Sequence, residues 1–300
     1  RQTLIKYKNQ EPKVIKQETS SLDSIEDEPL FEDDLFDLDA VDESGVKGGS
    51  DADDIFGEAG AMVEEQAELS VDVSQTIFRA YDIRGVVDES LNPAIVELLG
   101  KAIASEAHAQ GQASLCVGYD GRLSSAAYAE SLIKGILSTG VDAILVGQVP
   151  TPVLYFATNH FETGSGVMIT GSHNPSNYNG FKTMIAGNTL SGEVIQKLYQ
   201  RIMMQDFVTG KGERAERSID REYLDTILND IAVAAPLKVV LDAGNGVAGG
   251  LAPDLVEELG CEVIPLHCDI DGHFPNHHPD PSQPENLQDL ITAVREHNAD

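Results

Sequence analysis

From about residue 74 the chain alternates short apolar, partly β-branched runs with segments of helical period, and this alternation restricts it to an α/β architecture. Leu91 to Ala109 carries apolar residues at helical spacing and stops before Gly111, and Ser114 to Gly118 reads as a short strand. Asp120-Gly121-Arg122 turns into a helix expected over Ser124 to Ser138, and Ala143 to Val146 supplies the next strand. Pro150-Thr151-Pro152 interrupts the chain before another helical stretch, and Gly166 to Thr170 has the texture of a buried strand. Val194 to Met204 is helix-like, and the charged run Lys211 to Arg217 reads as a connection between domains. A helix near Arg221 to Ala234 and a strand over Lys238 to Leu241 open the second domain. The expected organisation is a segment over 1–72, a first domain over 73–217 and a second over 218–300.

The charge is unevenly spread. Residues 1–70 hold 20 acidic and 6 basic side chains, a net of −14, against 30 and 14 in the remaining 230, a net of −16. Glu28 to Asp39 interleaves acids with apolar residues, and Gly45 to Asp54 is small and polar. Such a composition buries too little apolar surface to offset ordering entropy, so residues 1–72 are expected to be disordered, as a solvating linker or as a motif that folds on a partner. So acidic a chain is not expected to bind nucleic acid through its phosphates. No stretch reaches the roughly 18 apolar residues of a membrane span, and no signal-peptide pattern is visible. The first residue is Arg1, which leaves open what precedes it. Cys116, Cys261 and Cys268 are odd in number and lack a C-x-x-C spacing, which argues against a disulfide framework and favours a reducing cytoplasm.

Chemistry concentrates in Thr170-Gly171-Ser172-His173-Asn174-Pro175, followed by Asn179-Gly180-Phe181-Lys182. Ser172 falls at the end of the expected strand, and Asn174-Pro175 biases the chain toward a turn, so its hydroxyl should project from a loop. Asn179-Gly180 is a hairpin-turn dipeptide, and a reversal there would bring Lys182 beside Ser172. A serine nucleophile with a nearby ammonium suits phosphoryl transfer. Spacing alone equally allows a loop whose Ser172 and Asn174 satisfy backbone groups while Lys182 is solvated.

Gly244-Asn245-Gly246-Val247-Ala248-Gly249 offers a rival reading. It matches G-x-G-x-x-G, follows a strand, and has Asp269 about 20 residues on, where a dinucleotide fold places its ribose-binding acid. Glycines at such turns also serve only tight turning and close packing. His267, Cys268, His273, His277 and His278 are close in sequence, but their spacing fits no zinc template and prolines separate them, which points to a structural loop. No Walker A pattern occurs.

The serine run, Tyr81-Asp82-Ile83-Arg84-Gly85 upstream, and Gly272 to Pro281 with Pro284-Glu285-Asn286-Leu287 downstream together resemble the α-D-phosphohexomutase family, in its phosphomannomutase/phosphoglucomutase branch. The resemblance covers roughly residues 74 to 300. It implies consecutive mixed-sheet α/β/α domains and a reversible mutase that interconverts hexose 1-phosphate and hexose 6-phosphate through a phosphoserine enzyme and a bisphosphorylated sugar. By the same resemblance Ser172 is the phosphorylated nucleophile, Arg84 and Lys182 are the catalytic cations, and Tyr81, His173 and Asn174 are substrate-binding groups. Mg2+ would be held partly by the phosphoserine oxygen of Ser172, with glucose 1,6-bisphosphate or mannose 1,6-bisphosphate as activator, in a monomeric enzyme.

The family's Asp-Gly-Asp-Gly-Asp-Arg metal run is absent from the 300 residues, as are the sugar-specificity and phosphate-binding loops of its later domains. The remaining aspartate ligands are therefore expected beyond Asp300, and the 300 residues alone are expected to be inactive. A non-catalytic interaction protein built on a mutase remnant is the other reading of that absence.

Overall fold

The computed structural model describes residues 71–300, so the acidic segment lies almost wholly outside the described residues. Val71 packs against the core, and Val73, the first residue of the expected first domain, is buried.

The first layer of structure is a mixed sheet of β1 (Ile83–Val86), β2 (Ser114–Tyr119), β3 (Asp142–Gln148), β4 (Gly166–Ile169), β5 (Tyr178–Ile185), β6 (Asn188–Thr189) and β7 (Arg214–Glu216). Their order is β1-β5-β4-β2-β3-β7, with β6 paired to β5. β4, β2, β3 and β7 run parallel, whereas β5 is antiparallel to both β4 and β1. Parallel neighbours need crossovers, and α2 (Ser125–Leu137) and α3 (Thr151–His160) provide them. Strand side chains alternate between two cores. Leu115, Val117, Val167 and Ile169 join one with α1 (Pro93–Ala109), α2 and α4 (Glu193–Met203), whereas Cys116 and Met168 join the other with Val153, Leu154 and Ala157 of α3. Both faces of the sheet are thus covered, as β-strands without a solvent side require.

The start of α1 follows from local chemistry. Asn92 caps α1, its Oδ1 accepting the Ile95 N–H at 3.0 Å, and Pro93 sits in the first turn where a missing N–H costs nothing. The helix therefore begins after Leu91, which is buried instead. The charged run Lys211 to Arg217 is not a bare connection. It contains β7, an edge strand whose Arg214 forks onto Glu130 at 2.6 and 3.0 Å, so its charges are solvated edge side chains on a backbone that still pairs with β3.

After α5 (Asp220–Asp230) comes a smaller parallel pair, β8 (Lys238–Asp242) and β9 (Glu262–Leu266), flanked by α6 (Ala252–Glu258) and α7 (Gln288–His297). The glycine run after β8 forms a short 3-10 turn, Val247–Gly250, and not the helix that a dinucleotide site needs. A Cβ at Gly249 would overlap the Cys268 carbonyl, and one at Gly244 would meet the His277 ring at 3.0 Å. These glycines are packing positions filled by protein, which removes the room for a pyrophosphate. NADH titration monitored by fluorescence is expected to show no saturable binding. Among the described residues no helix is long and apolar enough to cross a membrane.

Candidate active site

The site is built where β1, β4 and β5 end together. β1 pairs with β5 so that Arg84 faces Gly180, and continuing that register sets Asp82 opposite Lys182. β5 in turn sets Lys182 against Met168 of β4, two residues before Thr170. Asn179-Gly180 is consequently not a turn. The chain reverses earlier, between Thr170 and Tyr178, and Asn179 and Gly180 are buried strand residues. Asn179 spends its amide on the Ser124 and Ser125 hydroxyls at 2.8 and 2.9 Å, and a Cβ at Gly180 would overlap the Ile83 carbonyl. Tertiary demand for a small residue thus overrides the dipeptide's turn preference.

Strand pairing aligns the charges. Arg84 donates through Nη2 to Asp82 Oδ2 and through Nη1 to Asn174 Oδ1, and the Lys182 ammonium lies 3.8 Å from the same Asp82 oxygen. One carboxylate thereby holds two cations side by side, which their mutual repulsion would otherwise separate. Arg84 Nε is buried and has no partner among the described residues. Tyr81, next to Asp82, is 76% exposed.

Ser172 stands beyond the end of β4 with φ +52, a left-handed conformation that costs a non-glycine residue roughly 1–2 kcal/mol. Among the described residues no group holds its hydroxyl, while its N–H donates to Thr170 Oγ1 at 2.9 Å. Asn174 joins the Arg84 cluster, whereas His173 turns toward the second domain, its Nδ1 3.8 Å from Asp280 Oδ1. The structure therefore brings Asp82, Arg84, Asn174 and Lys182 together, leaves Ser172 unencumbered at the loop, and keeps His173 at the domain boundary.

What the sequence reading missed is the residue that holds this loop. Arg122, buried to 3% exposure, donates to the carbonyls of Ser172 (2.9 Å), Asn174 (2.6 Å), Pro175 and Tyr178 (3.0 Å). Its Nε lies 3.3 Å from Asp120 Oδ2 in an ion pair that lacks hydrogen-bond alignment. Asp120 completes the brace through Ser125 Oγ at 2.6 Å and the Gly171 N–H at 3.3 Å. Burial pulls the Arg122 pKa below the usual guanidinium value and Asp120 pulls it back. A planar fork that satisfies several convergent carbonyls fixes loop geometry in a way a lysine cannot.

The Pro- and His-rich loop of the second domain buttresses Arg122 from below. The Arg122 guanidinium sits 5.2 Å from the Phe274 ring centre, a cation–π contact. Gly272 is buried so tightly that a Cβ would stand 2.7 Å from Leu123 N and 2.8 Å from the Gly121 carbonyl. Gly272→Ala must therefore push backbone apart, and a stability loss of about 1–3 kcal/mol is expected in urea unfolding.

Mg2+ was tested against these residues. The carboxylates near the serine loop, Asp82 and Asp120, are both paired with guanidinium groups, and no oxygen-rich cluster for a hard cation adjoins Ser172 among the described residues. The described residues do not make a magnesium site on their own.

Residues 75–209 match the family described as phosphoglucomutase/phosphomannomutase, alpha/beta/alpha domain I, and residues 221–300 match its domain II. The chain is similar to a phosphomannomutase/phosphoglucomutase of Pseudomonas aeruginosa, with 54% identity over 225 residues, 75% of this chain and 49% of that protein. It is 47% identical over 230 residues to a phosphoglucomutase of Neisseria meningitidis, covering 76% of this chain and 50% of the other. A crystal structure of a phosphoglucomutase/phosphomannomutase family protein from Burkholderia thailandensis superposes with a TM-score of 0.74 at 46% identity, over 76% of this chain and 52% of that one. The chain spans about half the length of the curated relatives it matches.

Proposed function

Because the chain belongs to the phosphoglucomutase/phosphomannomutase family, of which it carries domains I and II, we propose that it supplies the phosphoserine half of a mutase interconverting hexose 1-phosphate and hexose 6-phosphate. The observation that carries this reading is the Ser172 hydroxyl, unpartnered among the described residues and strained on a loop that Arg122 pins and whose Asn174 accepts from Arg84, one of two cations held by Asp82. In this reading phospho-Ser172 passes its phosphoryl group to the free sugar oxygen. The Oγ–P bond breaks, the new O–P bond forms, and the proton of the sugar hydroxyl ends on the freed Ser172 Oγ. After the bisphosphorylated sugar reorients, Ser172 Oγ takes the other phosphoryl group, and the sugar oxygen released regains a proton.

Each residue has a role suited to its place. Arg84 and Lys182 offset charge on the transferred group, and their fixed positions supply stabilisation without reorganisation. Asn174 holds the Arg84 guanidinium in place, Tyr81 offers an exposed ring to the sugar, and His173 offers a donor to phosphate. Mg2+ on phospho-Ser172, when bound, would neutralise the transferred group; its other ligands would have to come from outside these residues. Glucose 1,6-bisphosphate or mannose 1,6-bisphosphate would prime Ser172. The free thiols of Cys116, Cys261 and Cys268 suit a reducing cytoplasm. The domain division at 217/218, a monomeric state and a partner for the acidic N-terminal segment belong to the same proposal.

A coupled assay of glucose 1-phosphate and mannose 1-phosphate with the native-length protein tests the reading, and absence of turnover on both sugars would overturn it. The 300 residues alone are expected to show no turnover in that assay, for want of the remaining oxygen ligands.

A further inference from the structure

We propose that Asp242, His267 and His277 form a binding site for a divalent ion of the zinc class, separate from the phosphoryl-transfer site. Both ring nitrogens of His277 face acceptors. Its Nδ1 is 3.0 Å from the His278 carbonyl, which can only accept, so Nδ1 carries the hydrogen. In that tautomer the Nε2 lone pair points at Asp242, whose Oδ2 and Oδ1 lie 3.0 and 3.2 Å away. A lone pair facing a carboxylate at that distance needs a cation between them. The Asp242 side chain is only 6% exposed, so water does not screen the contact.

A third donor selects a metal as that cation. One ligand atom from each of Asp242, His267 and His277 lies within 4.8 Å of the others, and the two imidazole rings are 5.4 Å apart at 76°. Tetrahedral ligands at ~2.0–2.1 Å from zinc stand roughly 3.4 Å apart, so small side-chain rotations close the site. Its supports are already in place. Asp242 ends β8, with Oδ1 accepting the Gly244 N–H at 2.8 Å, and His267 directly follows β9, its Nε2 3.0 Å from Asp289 Oδ2. A carboxylate behind a histidine is the usual orienting partner of a metal ligand, and the fourth position is left to water. Two imidazoles and one carboxylate favour Zn2+, Co2+ or Ni2+ over Mg2+. The spacing argument against zinc fails because Asp242, 35 residues before His277, is brought in by strand pairing and not by sequence proximity.

The consequence is a staple. The ion would tie the ends of β8 and β9 to the loop that carries Phe274 under Arg122 and Asp280 toward His173.

The test starts from protein stripped by a chelator and dialysed against micromolar Zn2+ in excess Mg2+. One zinc per chain is expected by elemental analysis, with affinity falling at least about tenfold in His267→Gln and in His277→Gln. Co2+ loading is expected to give visible d–d bands that His277→Gln abolishes. Zinc is also expected to raise the melting midpoint of the wild-type protein and not that of His267→Gln, a readout that holds even if the variants are less stable. Substoichiometric zinc, equal binding by the double variant His267→Gln/His277→Gln, or no melting shift in the wild type would overturn the proposal and leave a proton as the cation between His277 and Asp242.

Discussion

Arg122→Met is expected to lower stability by about 3–5 kcal/mol, the cost of stripping one partner from a buried ion pair. The substitution keeps the apolar stem but leaves the Asp120 carboxylate uncompensated and the carbonyls of Ser172, Asn174, Pro175 and Tyr178 without their shared donor. Water can reach those carbonyls only if the loop opens. Urea unfolding should report the stability loss, and amide exchange across residues 171–178 should report the opening. Arg122→Lys restores the charge without the fork, so it is expected to recover part of the stability while the loop still exchanges quickly. Wild-type exchange in Arg122→Met would mean that the loop is held by something other than this guanidinium.

Ser172→Ala is expected to remove mutase turnover in the native-length protein by at least about 10⁴-fold, since the proposed route runs through a phosphate on the Ser172 hydroxyl. Stability should stay within about 0.5 kcal/mol of wild type, because the lost hydroxyl makes no bond among the described residues. Ser172→Gly separates strain from chemistry. At φ +52 a glycine relieves the left-handed penalty, so this variant should be more stable by roughly 1 kcal/mol and equally inactive. Stability gained as function disappears marks a residue held in place for chemistry. Residual turnover in Ser172→Ala above a hundredth of wild type would assign the phosphate to another residue.

Much of this was legible in the sequence where local chemistry decides. β2 and α2 fall within a residue or so of their expected limits, because apolar period and flanking glycines set them. At the serine loop spacing alone left a phosphoryl-transfer site and a plain structural loop open, and only the resemblance of the surrounding motifs favoured the first. The misses share one cause, which is that partners distant in sequence decide the outcome. Asn179-Gly180 reads as a turn until Ile83 and Ser125 claim its space. Arg122 reads as part of a helix-entry turn because its acceptors lie 50 to 56 residues away. β7 reads as a linker because an edge strand shows only its solvated charges. The pairing of Asp242 with His277 likewise depends on β8 and β9 lying side by side.

Phosphopeptide mass spectrometry asks whether Ser172 carries the phosphoryl group. The native-length protein, incubated with Mg2+ and glucose 1,6-bisphosphate, should yield a Thr170–Lys182 region peptide with phosphate on Ser172 and none in Ser172→Ala. An unlabelled Ser172 in folded, Mg2+-replete protein would contradict the account and make the site one that binds phosphosugars without carrying their phosphate.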